Sequence, residues 1–162
     1  MKSDRLITDY RFELVEDQHS AGSGRYGVRV ILPADISACF PYLNAVLDEP
    51  VYDHENHILI GAKKRRRYAF RPHEIQARMV TDSSQASPIV EEVVNLVNKV
   101  WERRSQITPT TRERRLPVVF SVYQLLPKTN CRECGYPTCL ACAADIRNVV
   151  IPLERCPLLS KP

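Results

Sequence analysis

The stretch PKTNCRECGYPTCLACAADIRNVVIPLERCP, residues 127–157, decides how the C-terminal part of this chain can fold. It holds five of the six cysteines found in 162 residues, at 131, 134, 139, 142 and 156. A cysteine placed only for packing needs no other cysteine nearby. The crowding therefore asks for a shared partner: a metal, a cluster or a disulfide framework. Loop chemistry orders the segment. Gly135 gives backbone freedom beside a cysteine, where a side chain would crowd a bound group. Thr138 can cap the helix-forming run LACAADIRN. That cap puts Cys139 in a first helical turn, where exposed amides and the helix dipole favour a thiolate.

Composition narrows the choice of partner. No run approaches the roughly 20 consecutive apolar residues that span a bilayer, and MKSDRLITDYRF has no apolar core of signal-peptide length. The expected compartment is the cytoplasm, where thiols stay reduced and clustered cysteines favour metal ligation over disulfides. A zinc site could use the two CxxC pairs, Cys131 with Cys134 and Cys139 with Cys142. The four residues between those pairs are far fewer than the twelve or more usual in zinc ribbons and fingers. A thioredoxin-like CxxC would leave Cys139 and Cys156 unexplained. An iron–sulfur cluster fits better: Cys131, Cys134 and Cys139 can share one tight loop, while Cys156 returns after a helix. Cys156 is followed by Pro157, like the Cys-Pro that ends many ferredoxin motifs. Structural zinc and redox-active thiols remain the alternatives on spacing alone.

LPKTNCRECGYPTCLACA resembles the small iron–sulfur module of corrinoid iron–sulfur protein large subunits and of the B subunit of Rnf-type electron-transport complexes. That module has the form LPxxNCxxCGxxxCxxxA with a further cysteine about sixteen residues on. The resemblance covers residues 125–159 and implies one [4Fe–4S] cluster held by Cys131, Cys134, Cys139 and Cys156. It also implies one-electron transfer with a neighbouring cofactor, including the cobalt of a corrinoid. The chain departs from the pattern at Arg132, where the family usually has glycine, and at Cys142, where it usually has an apolar residue. The later helix glycine of the family is also missing.

Upstream, period-two patterning marks strands. Tyr10, Phe12 and Leu14 alternate with Arg11 and Glu13; after the polar loop EDQHSAGSG, Tyr26, Val28, Val30 and Leu32 alternate with Arg25 and Arg29. Asp35 can cap a helix carrying Ile36, Phe40, Leu43 and Leu47, which Pro41 should kink or split. Cys39 reads as a small core residue. DEPVYDHENH reads as a solvated turn despite Asp53, His54, Glu55 and His57. HILIGA and RRYAFRP form a second hairpin with KKRRR, residues 63–67, at its tip, and IQARMV adds another strand. The clearest helix runs from Pro88 to Arg104, with Ser87 as N-cap and one stripe of Val90, Val93, Val94, Val97, Val100 and Trp101. SQITPTTRERRLP has linker composition. Val118 to Leu126 is an apolar run compatible with strand or helix.

These readings give an α+β protein: an N-terminal antiparallel sheet with about two helices, then a small loop–helix iron–sulfur module. The expected division is residues 1–107 as a docking adaptor, 108–117 as a linker and 118–162 as the cluster module. No nucleophile–base pair, phosphate-cradling glycine loop or paired catalytic carboxylates stand out, so an electron-transfer protein serving a redox partner is expected rather than a stand-alone catalyst. The net charge of +4 is modest. The runs at 63–67 and 112–115 offer a surface for an acidic partner or, in a redox-sensing regulatory alternative, for nucleic acid.

Overall fold

A computed structural model describes residues 4–16, 26–64, 66–80, 82–113, 117–148 and 151–159. These residues form two compact units, one drawn from 4–16 and 26–113, the other from 117–148 and 151–159. The protein is α+β, and its sheet is antiparallel throughout. No helix among the described residues is long and apolar enough to cross a membrane.

The first unit carries six strands: β1 (Arg11–Glu16), β2 (Tyr26–Ile31), β3 (Asp48–Asp53), β4 (Ile58–Lys63), β5 (Arg66–Arg71) and β6 (Glu74–Val80). They lie in the order β1-β2-β6-β5-β4-β3. The register lines up one cross-strand row of Tyr52, Leu59, Phe70, Ile75, Val30 and Phe12. Neighbours in such a row share a face and pack on one another. All are buried except the last: Phe12 is 42% exposed and its strand-mate Leu14 41%. The alternation in β1 is thus real, but the strand lies at the sheet edge, beyond the cover that buries Val28 and Val30.

That cover comes from α1 (Phe40–Val46) and α2 (Ala86–Glu102), whose apolar faces join the sheet residues in one core. The expected helix from Asp35 is divided: a 3-10 turn over Ser37–Cys39 precedes α1, and Pro41 falls in its first turn, where its missing N–H removes no helix bond. Leu47, just past α1, presses on β4 at Gly61. A Cβ there would stand 2.8 Å from Leu47 Cβ, so the close approach requires glycine. Cys39 is fully buried, and burial pushes its thiol up to about 12. It is a core residue.

Three expectations need correction. DEPVYDHENH is not all turn: its first six residues are β3, with Val51 and Tyr52 buried, and Pro50 is tolerated because β3 is an edge strand. Helix α2 begins at Ala86, so Ser87 is inside it. The capping carboxylate belongs to Asp82, which accepts from Ser84 N at the start of a preceding 3-10 turn. The stretch read as a linker from residue 108 is tied to the first unit as far as Arg112: Asn44 donates to the carbonyls of Thr110 and Arg112, and Thr110 N donates to Pro41 O. After Glu16, the loop expected at 16–24 lies outside the described residues, as do residues 114 and 115 of the second basic run.

The cations at the β4–β5 turn are largely engaged within the unit. Lys63 donates to Val46 O, Lys64 lies 3.8 Å from Glu92, and Arg67 pairs with Glu49. Arg65 lies outside the described residues.

Candidate metal centre

The second unit is built from α3 (Val119–Leu125), a cysteine-bearing loop, α4 (Cys139–Arg147) and a short 3-10 turn, Leu153–Arg155. The ambiguous run at 118–126 is therefore helical. Packing decides it, because Val122 and Leu126 bury one side while Phe120 and Leu125 stay exposed.

The loop is shaped by backbone conformations that L-residues rarely adopt. Lys128, Asn130 and Arg132 have φ of 63°, 49° and 64°, and Gly135 has φ of 89°. Three of the six described non-glycine residues with positive φ thus fall within five consecutive positions, the kind of clustering found where a loop is held for function. Gly135 is needed for its backbone: its N–H donates to Arg132 O, and an added Cβ would meet nothing within 4 Å.

Thr138 caps α4 as the sequence implies, its hydroxyl accepting from Ala141 N at 3.1 Å. Asn130 supplies a second clasp that sequence reading missed. Its side-chain oxygen accepts from Cys139 N at 2.8 Å, while its own N–H donates to Cys139 Sγ at 3.4 Å. The asparagine before the first cysteine was the available signal. A third tie joins loop and helix in the interior: Tyr136 donates to Asp145 Oδ2 at 2.7 Å, and Asp145 is only 1% exposed. Cys156 is framed by turns on both sides, its N–H donating to Leu153 O and its carbonyl accepting from Leu159 N.

These ties gather thiols. Cys139, Cys142 and Cys156 are buried in one small core with Val122, Leu126, Tyr136, Ala143 and Ile151, and the half-buried Cys134 packs against it. Cys131 is exposed. The structure thus brings together three of the four expected ligands, adds Cys142, and leaves Cys131 at the surface. All six cysteines are free thiols. Burial first, and then the neighbouring Cys134, Cys156 and Cys139, push the Cys142 thiol up to about 12. Thiols held this close repel one another once ionised, and bound cations remove that repulsion.

The donor set is all sulfur, which suits iron–sulfur clusters and other soft metals. Among the described residues, no three His, Cys, Asp or Glu side chains converge closely enough to hold a single ion. A cluster spreads its ligands over several irons. The amide-to-sulfur bond at Cys139 is a further feature of thiolate ligation, since it stabilises charge on the sulfur.

Comparison with known proteins agrees with this chemistry. A family model described as "Putative Fe-S cluster" matches residues 126–158. The chain is 46% identical over 41 residues to the acetyl-CoA decarbonylase/synthase complex subunit gamma of Methanocaldococcus jannaschii, which covers 25% of this chain and 8% of that protein. It is 49% identical over 39 residues to the corrinoid/iron-sulfur protein large subunit of Moorella thermoacetica, covering 24% of this chain and 9% of the relative. The chain therefore matches less than a tenth of the length of these curated relatives. No solved structure matches it significantly. The C-terminal unit is an iron–sulfur domain.

Proposed function

We propose that residues 118–162 hold one [4Fe–4S] cluster through Cys131, Cys134, Cys139 and Cys156, and that the protein passes single electrons to or from a partner protein. One observation carries this reading: buried and half-buried thiols stand beside one exposed thiol in the same motif. Cys139 and Cys156 would keep most of the cluster out of water, and Cys131 would hold one corner near the surface, where a partner can approach. When bound, the cluster supplies the one-electron chemistry. The protein's residues set its conditions. Asn130 N–H stabilises charge on the Cys139 sulfur, Arg132 places a cation beside the first ligand, and the apolar core limits solvent access.

The relatives' names refer to an acetyl-CoA decarbonylase/synthase complex and to a corrinoid. They support a partner of that kind, a corrinoid-containing or anaerobic-metabolism protein. Residues 1–107, with the attached Thr110–Arg112, would act as a docking adaptor, and the cytoplasm is the compartment that keeps these thiols reduced.

The test is an anaerobic redox titration of the purified protein followed by electron paramagnetic resonance. Reduction should take up about one electron per chain and return it to a one-electron viologen acceptor with the iron retained. A protein that takes up no electron, or that sheds its iron when reduced, contradicts the reading.

A further inference from the structure

The motif and the fold disagree about which four thiols belong together. The motif groups Cys131 with Cys134, Cys139 and Cys156. The fold instead puts Cys142 among the last three and leaves Cys131 exposed. Cys139 and Cys142 sit one turn apart on α4, an i,i+3 spacing that places both side chains on one helix face. Both are buried in the core that also holds Cys156 and the edge of Cys134. Cys142 is 1% exposed and lies where the family pattern has an apolar side chain, so simple packing would be served as well by a residue with no affinity for iron.

We propose that Cys142 is a reserve ligand: when Cys131 leaves its iron, Cys142 takes its place, and the cluster is held by Cys134, Cys139, Cys142 and Cys156. This rests on the cluster-binding reading above. The step is a ligand exchange without net electron transfer. The bond from iron to Cys131 sulfur breaks and the bond from iron to Cys142 sulfur forms. The proton lost by the Cys142 thiol goes to the Cys131 thiolate, directly or through water, so charge and atoms balance and no oxidant is needed. Cys131 is the ligand most open to solvent, because it is the one the fold leaves exposed. The exchange would keep the core intact when that ligand is lost.

The experiment uses the full chain, purified anaerobically, with iron and acid-labile sulfide counted and the reduced protein examined by electron paramagnetic resonance. Wild type, Cys131→Ala, Cys142→Ala and the double variant are compared, with circular dichroism confirming equal helix content. Cys131→Ala should keep about four irons and four sulfides per chain, with a reduced-state signal different from wild type. Cys142→Ala should also keep its cluster, held by Cys131, with the wild-type signal. The double variant should retain about a tenth of the wild-type iron or less. Three outcomes overturn the proposal while leaving the cluster reading intact: Cys131→Ala losing its cluster as fully as the double variant, Cys131→Ala stopping at about three irons, or the double variant still holding four. Wild-type protein without sulfide overturns both.

Discussion

The two units solve the folding problem differently. The sheet unit has a large interior of branched aliphatic and aromatic side chains, arranged in cross-strand rows under α1 and α2, with Cys39 as one apolar member among many. The C-terminal unit has eight buried core residues among those described, and three of them are cysteines. A domain of that size buries too little apolar surface to be secure by itself, and natural domains of this kind are stapled by disulfides or metal. Its cysteines are free thiols. The contrast teaches that the core of the first unit is built from apolar side chains away from any candidate site, whereas in the second the site and the core share the same residues.

The largest expected effect follows from that contrast. Removing iron with a chelator should unfold the second unit and spare the first, because binding free energy in such modules is folding free energy. Hydrogen exchange read by mass spectrometry should show α3 and α4 losing protection while β2, β4, β5 and β6 keep theirs. Equal loss in both units, or none in either, would erase the distinction.

A truncation in the sheet core should do the reverse. Phe70→Ala removes a fully buried ring and should cost about 3–5 kcal/mol in denaturant unfolding of the first unit. Its iron content should not change, and a loss of iron in this variant would show that the two units fold together.

Smaller effects probe the clasps. Asn98→Ala strips the side chain that accepts from Ile7 N at 2.8 Å and donates to Ile7 O at 2.9 Å, leaving two inner backbone groups without partners. A loss of about 1–3 kcal/mol is expected, confined to the first unit. Thr138→Ala removes the cap of α4 and should lower the stability of the second unit by about 1 kcal/mol, measured by denaturant unfolding of the iron-loaded protein.

Local chemistry explains which of these features could be read from the sequence. Alternation revealed β1 and β2 because a half-buried strand must alternate, short apolar runs flanking the basic turn marked β4 and β5, and the valine stripe of α2 repeats at helical spacing. Thr138 as cap and Gly135 as a special backbone position were legible because each acts within a few residues of itself. β3 was hidden: Asp48, Glu49 and Pro50 look like loop, and only the neighbouring β4 makes Val51 and Tyr52 a strand. The direction of α3 depended on packing, since its apolar run fits either period. Asn130 with Cys139, and Tyr136 with Asp145, are each nine residues apart, and their pairing exists only after the loop has turned back on the helix. The position of Cys142 was legible as one helical turn from Cys139; its burial at the centre of the thiols was not.

The central claim is that these thiols serve an iron–sulfur cluster, and elemental analysis tests it most directly. Protein purified without oxygen should contain about four irons and four acid-labile sulfides per chain and give a signal in electron paramagnetic resonance after dithionite. One zinc per chain with no sulfide would contradict the account.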